Sequence, residues 1–557
     1  TYVNCEVKSD SDQTHEVEFY FDAGGELSTN DPDQEVSGSN FATGNSLGLK
    51  IGTDTQRVLG KSGDDLRIDW GYLYVTAAKS FSPTRAMGDA EDLREAFGGR
   101  GSEALDGQSP QFPVAADNVV AAVAMPMGQV GSESVSRYAL IAYDDLYSIE
   151  YMTKKLRPYW RKDGWEAGDL ITAAIDEHDA LEERCQAFDA GLMADLVVAG
   201  GQEYADIGAL AFRQCFAAGK FVADTNGQPL QFSKENHSNG CIATSDVFYP
   251  MAPQFLLFGP SLTKSFLAPF MEYAASDRWK FPFAPHDLGT YPKANGQVYG
   301  GGETNEVNQM QVEESGNMLI LFAALAKMEG NADYASKYWE QLSQWASYLE
   351  GKGYDLDNQL STDDFSGHLA HNVNLSAKAI CGLGAYAMLC EMRGEEDQAD
   401  KYSKLAKQFA GQWMEAAHDG DHYRLAWILW SATLTENRDD FVSLIKPVHK
   451  FLNTTRQRSP MTDWYFTSTA QKRGFTARPV VGGVFLKMLY DTQAWTQYAS
   501  QDVTKASGWA AMPKPPETRT LVPTSANEKV LWSYTFDQPE GEWFSANYSA
   551  SEWQEGR

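Results

Sequence analysis

Two stretches of this chain copy one another: MEGNADYASKY over Met328–Tyr338 and MRGEEDQADKY over Met392–Tyr402. The correspondence runs on through Trp345-Ala346 and Phe409-Ala410. Each copy reads as an apolar helix, a tight Gly turn and a more polar amphipathic helix, so the repeating unit is a helical hairpin with an inner and an outer member. Such a hairpin cannot bury its apolar face alone, and stacked copies form a toroid or a solenoid. The inner members are rich in Gly and Ala and nearly apolar all round, as in Ala377–Leu389. Helices crowded round a common axis have that composition.

The 557 residues exceed a single core and imply two or three domains. Before about residue 165, alternating runs such as His15–Phe21, Trp70–Ala77, Val119–Met125 and Tyr138–Tyr143 are separated by Gly, Ser, Asn and Asp. They predict an antiparallel β-sandwich. After Asp169 the text turns helical, near 170–199, 203–221, 307–329, 332–352, 371–393 and 395–417. The expected organisation is a β-sandwich over 1–165, a helical linker over 166–202 and a toroid over 203–500. Residues 501–557 read as a Pro-rich linker and the start of a C-terminal β segment at Trp532-Ser-Tyr-Thr-Phe536.

A net charge of −30 argues against nucleic acid and anionic membranes as partners. No apolar run reaches spanning length, so membrane insertion is not expected. The six cysteines (Cys5, Cys185, Cys215, Cys241, Cys381, Cys390) form no CxxC pair. A zinc ribbon or thioredoxin-type site is therefore not expected, and no disulfide is assigned. His368 and His371 lack HExxH spacing, and no metal or cofactor is expected.

The loop from Phe281 to Asn317 crowds His286, Asp287, Glu303, Glu306, Glu313 and Glu314 among Gly, Pro, Tyr and Asn, directly before the apolar run Met318–Leu325. Long polar loops feeding a buried helix are uncommon without a use. The alternative is an acidic loop capping a helix, with Glu313 and Glu314 at its positive end. If hairpins alternate, this loop shares one rim with Asp363-Asp364 to Asn374 and with Asp463 to Arg478. Glu235 and Asp246 precede the apolar Val247-Phe-Tyr-Pro250, and the alternative to a functional role is helix capping by Ser245 or Asp246. Arg478 either holds a substrate carboxylate in a bidentate grip or pairs within the fold. No GxSxG, phosphate loop or convincing Rossmann fingerprint is present. Carboxylate chemistry remains, in which one acid protonates a leaving group and another activates water.

Several motifs carry a family resemblance: Phe232-Ser-Lys-Glu-Asn-His-Ser-Asn-Gly240, Thr244-Ser-Asp-Val-Phe-Tyr-Pro250, Ala284-Pro-His-Asp-Leu-Gly-Thr-Tyr-Pro292, Val312-Glu-Glu-Ser-Gly-Asn-Met318, Thr362-Asp-Asp-Phe365, His371-Asn-Val-Asn-Leu-Ser376 and Ala477-Arg-Pro-Val-Val-Gly-Gly483. They resemble the glutaminase A-like family of fungi and Bacteroides-like bacteria, from about Ala142 to Leu489. The resemblance implies an N-terminal β-sandwich, a six-hairpin (α/α)6 toroid of the glycosidase type, and a secreted, extracellular or periplasmic protein. It implies hydrolysis of the glutamine side-chain amide. The fold itself is shared with inverting glycoside hydrolases, and a non-catalytic carbohydrate-binding role is a third reading.

On this reading Glu313 is the general acid and Asp363 or Asp287 the water-activating base. Glu235, Asp246, His286, Glu314, Asp364, His371, Asn374, Asp463 and Arg478 would position a small-molecule or glycan substrate. One departure stands out. After Asp421-His-Tyr-Arg-Leu-Ala426 the family continues through a further inner helix and its partner, whereas here Ala426 meets Trp427 directly. A hairpin is therefore expected to be missing between them.

Overall fold

The alternation in the first 156 residues is realised as nine antiparallel strands in two facing sheets, followed by a short hairpin. The strands are β1 (Tyr2–Val7), β2 (His15–Gly24), β3 (Glu35–Ala42), β4 (Ser46–Thr53), β5 (Tyr72–Ala78), β6 (Thr84–Gly88), β7 (Val114–Ala115), β8 (Val120–Val130) and β9 (Val135–Asp144). One sheet has the order β1-β9-β5-β4-β3-β7 and the other β2-β8-β6. Successive side chains of a strand point to opposite faces. Leu73, Val75 and Ala77 of β5 therefore enter the core between the sheets with Ala121, Val123 and Met125 of β8. Tyr74 points the other way and packs on Ala167 and Ile171. The computed structural model describes residues 1–416, 428–434, 436–466 and 468–503, and in the C-terminal unit 531–536, 539, 548–549, 551 and 553–556.

Helix α1 (Ala90–Arg100) belongs to the sandwich, and the helical half begins with α2 (Ala167–Asp176), α3 (His178–Gly200) and α4 (Gln202–Ala217). Then come α5 (Ser245–Phe258), α6 (Pro260–Ala274), α7 (Gln311–Glu329), α8 (Asp333–Ser336) and α9 (Trp339–Lys352). The series continues with α10 (Val373–Met392), α11 (Glu396–Ala416), α12 (Ile428–Thr433), α13 (Arg438–Thr454) and α14 (Thr492–Ala499). This is the expected class, an antiparallel sandwich followed by a helical hairpin domain. The helical spans expected from the sequence leave out α5 and α6, apart from the candidate cap at Ser245 or Asp246 that marks the start of α5. Pro250, Pro253 and Pro269 lie inside these helices, where proline is locally unfavourable. Tertiary burial outweighs that penalty: nearly every side chain of α5 lies in the core.

Inner and outer helices divide as the repeat requires. Helix α7 is buried for most of its length, whereas α11 is charged and strongly amphipathic. Helix α10 lies between α7 and α11. Its crossing with α7 is set by two glycines. A Cβ on Gly382 would come within 3.1 Å of the Gly316 Cα, and one on Gly316 within 2.7 Å of Lys378 Cγ. Side chains at either position would push the backbones apart.

Sandwich and helices share a boundary. Glu150 and Tyr151 pair in parallel with Lys293 and Ala294, and the Tyr2 hydroxyl donates to the carbonyl of Ala174 in α2 at 2.6 Å. The loop 54–69 reaches across to the helical side. The Gly63 amide donates to Tyr291 O at 3.0 Å, Lys234 donates to Leu66 O at 3.4 Å, and Asp65 lies 3.2 Å from His237. Gly240, at φ +74, lies so close to Asp64 that a Cβ there would stand 2.6 Å from its backbone. At the start of α6 the Ser261 N–H bonds Asp502, and buried Lys264 pairs with Glu329 at 2.7 Å. In the separate C-terminal unit, Trp532–Tyr534 pairs antiparallel with Gln554–Gly556. The junction of Ala426 and Trp427, where a missing hairpin is expected, lies outside the described residues.

Candidate active site

The first turns of two inner helices supply the central carboxylates. Asp246 stands in the first turn of α5, and Glu313 and Glu314 stand in the first turn of α7. Helix N-termini favour negative charge, which suits all three positions. Asp246 sits at the hub, close enough for its charge to act on Glu235, Glu313, Glu314, His286, Asp463 and Arg478.

Glu313 is almost wholly buried, accepts the Thr362 amide at 2.8 Å on one oxygen and lies 3.5 Å from Lys378 Nζ on the other. Burial, helped by the charges of Asp246 and Asp363, lifts its pKa above the ordinary carboxylate range against the pull of Lys378 and the Thr362 amide. Lys378 is held in turn by Asn317 Oδ1 at 2.6 Å and by the Tyr249 ring at 4.0 Å. Lys378 and Asn317 were missed by the sequence reading. The available signal was a lone charge inside the apolar Val373–Leu389 stretch.

Glu314 is fully buried. Its Oε2 accepts from Ser245 Oγ and from Asn317 at 3.1 Å. Burial and the charge of Asp246 raise its pKa well above the usual range, against His286. His286 stacks on Tyr299 (ring centroids 4.3 Å apart) and places Nδ1 3.0 Å from Asp287. Burial opposes its charge, but the Asp287 hydrogen bond and the charges of Asp246, Asp287 and Glu314 push its pKa up to about 10.

Asp287, offered by the sequence as a water-activating base, has a different placement. It is fully buried, and its two oxygens receive the amides of Gly289 (2.8 Å), Val298 (3.1 Å) and Tyr299 (3.1 Å) besides the His286 ring. Four partners use the four lone-pair sites of a carboxylate. Asp287 therefore braces the loop and aims His286.

A second group closes the rim. Arg478 is buried, 3.5 Å from Glu235 and 4.0 Å from Asp463, with Phe475 under its guanidinium at 4.4 Å. Its Nε has no partner. Asp463 keeps 44% of its side chain accessible. Burial raises its pKa, and Arg478 opposes the rise. Two residues at positive φ join the segments: Phe475 (φ 53) donates its amide to the carbonyl of His237 (φ 52) at 3.0 Å. Asn236 fastens to Ala477 O at 3.1 Å. Backbone conformations of this kind persist where the surrounding structure enforces them.

The remaining candidates separate. Asp364 accepts the Tyr299 hydroxyl at 2.5 Å and so joins the His286 side of the cluster. Asp363 is exposed, next to the Thr362 amide that holds Glu313. His371 is exposed with its ring on Asp355, and Asn374 is exposed in the first turn of α10, where its amide bonds the Asn372 cap.

Residues 201–427 and 424–488 match the model of the glutaminase A six helical-hairpin domain, in two stretches that meet at the Ala426–Trp427 junction. The chain belongs to the glutaminase A-like family. Residues 1–195 match a domain of unknown function (DUF5127). Among family relatives, Glutaminase A of Aspergillus oryzae is 29% identical over 431 residues, covering 76% of this chain and 61% of that protein. A protein named as a probable glutaminase, from Arthroderma benhamiae, is 26% identical over 331 residues, covering 49% of this chain and 38% of its own length. The chain thus spans less than two thirds of either. A bacterial glucoamylase solved with acarbose aligns over 73% of this chain and 58% of its own, at 12% identity and a TM-score of 0.29. The assignment rests on the family model, and that structural likeness adds nothing to it.

Proposed function

We propose that this chain is a hydrolase of the glutamine side-chain amide, with Glu313 as proton donor to the departing nitrogen. The observation that carries the reading is the setting of Glu313: a buried carboxyl with a backbone amide on one oxygen, a lysine beside the other and two acids, Asp246 and Asp363, acting on it. A donor needs to hold its proton until the transition state, and burial among acids favours that form. In the step, a water oxygen bonds to the amide carbon and gives its proton to Asp363. The C–N bond breaks, and the nitrogen leaves as ammonia with the proton of Glu313. Arg478, walled by Glu235 and Asp463, would receive the substrate's α-carboxylate in a forked hydrogen bond. The names of the two fungal relatives support glutamine as substrate.

The test measures ammonia release from glutamine and reducing-sugar release from a glycan panel, with wild type and Glu313→Gln side by side. Ammonia release lost in the variant supports the reading. Sugar release in place of ammonia release would replace it with glycoside hydrolysis.

A further inference from the structure

Three ligand-type atoms that no sequence spacing links converge within the cluster. One oxygen each of Asp246 and Glu314 and a ring nitrogen of His286 lie within 4.8 Å of one another. They come from α5, from α7 and from the loop before α7. The side chains of Asp246 and His286 are 7% and 3% exposed, and Glu314 is fully buried.

What each group does with its other atoms is decisive. Glu314 Oε2 is taken by Ser245 and Asn317, while Glu314 Oε1 is buried with no hydrogen-bond partner. Asp246 Oδ1 is likewise buried and without one. The nearest cationic candidate, His286 Nε2, stands 3.8 Å from it, beyond hydrogen-bond length. His286 Nδ1 is committed to Asp287, whose own oxygens are pinned by three backbone amides. Buried carboxylate oxygens without a donor are costly, and native proteins rarely leave them so. A carboxylate that fixes one imidazole nitrogen while the other faces two further carboxylates is the arrangement by which proteins orient a histidine toward a metal.

We propose that Asp246, His286 and Glu314 bind a divalent cation of the Zn²⁺ or Mn²⁺ class, with Asp287 as the partner that orients His286. An imidazole beside two carboxylates suits these ions better than Ca²⁺ or Mg²⁺, which take all-oxygen sets. Three protein ligands leave a position for water or a substrate oxygen. The binding site stands on its own geometry. The part the ion plays, polarising the amide carbonyl, rests on the hydrolytic reading above.

The test uses the full chain, stripped with EDTA and dialysed. It is titrated with Zn²⁺ and with Mn²⁺ by calorimetry, and bound metal per chain is counted by plasma mass spectrometry. Wild type is expected to take one ion. Asp246→Asn, Glu314→Gln and His286→Ala should each weaken binding by at least about 100-fold, and Asp287→Asn by roughly 10- to 100-fold. His449→Ala, a histidine paired with Asp206 on an outer helix, should bind as wild type does. Because a variant can fail to fold, wild type also decides alone: loading with Co²⁺ should give visible absorption bands that Zn²⁺ displaces. No stoichiometric ion in wild type, or one retained by all three ligand variants, overturns the site. An ion bound without ammonia release leaves the site standing and overturns the hydrolytic reading. Full ammonia release by stripped wild type overturns the ion's part in the reaction.

Discussion

Lys378 Nζ stands 3.5 Å from Glu313 Oε1 and 2.6 Å from Asn317 Oδ1, so one partly buried cation ties the front of α7 to α10. The pair decides how firmly Glu313 holds a proton. Glu313→Gln keeps an acceptor for the Thr362 amide but has no proton to give. Ammonia release should fall by about 10²–10⁴-fold. Thermal melting and far-UV circular dichroism should stay near wild type.

The α7–α10 crossing gives a prediction of opposite signs. In an ordinary helix interior Gly→Ala stabilises by roughly 0.5–1 kcal/mol. Gly384→Ala in α10 should do so, since its nearest neighbour, Ala406 Cβ, is 4.0 Å away. Gly316→Ala in α7 should instead cost about 1–3 kcal/mol, because the new methyl meets Lys378 Cγ at 2.7 Å. It should also lower activity by displacing Lys378. Denaturant midpoints of the two variants check the pair.

Lys264 and Glu329 form a buried ion pair between α6 and α7, with side chains 1% and 9% exposed. Removing one partner leaves a buried charge. Lys264→Met should cost about 3–5 kcal/mol, whereas Lys264→Met with Glu329→Met should recover most of the loss. A double-mutant cycle read by thermal melting measures this. The alternative, equal losses in the single and double variants, would mean that Glu329 finds another donor.

Thiol reactivity should divide the cysteines. Cys185 and Cys381 are exposed, whereas Cys215, Cys241 and Cys390 are buried. Burial raises the thiols of Cys215 and Cys241 well above their ordinary value and that of Cys390 to about 11. The thiolate is the reactive form, so at pH 8 only about one Cys390 in a thousand would be nucleophilic even if reached. Burial also raises the Cys381 thiol, so labelling with an aromatic disulfide reagent should be fastest at Cys185, slower at Cys381, and should reach the buried three only on unfolding.

Much of this fold is written locally. The strands His15–Gly24 and Val135–Asp144 and the helices Gln311–Glu329 and Val373–Met392 follow from period and punctuation alone. Helix α5 does not, because its prolines speak locally against it and only its burial in the toroid decides. The site divides in the same way. Glu313, Glu314, Asp246, His286 and Arg478 stand in motifs that mark them. The distinction between Asp287 and Asp246 is invisible in sequence, because it depends on amides eleven and twelve residues downstream in the same loop. His371 and Asn374 illustrate the reverse: a motif position says which residues recur together, not which way a side chain on a turn will face.

Loop 54–69 belongs by sequence to the sandwich, yet it supports Lys234–Gly240, the segment that carries Glu235. The two stretches recognised by separate family models, 1–195 and 201–488, are therefore not exchangeable modules. Recombination between family members that cuts near residue 200 would bring together a rim and a loop with different histories. A productive chimera would have to carry 54–69 along with the helical half, so the natural breakpoint for shuffling this architecture lies somewhere other than its apparent domain boundary.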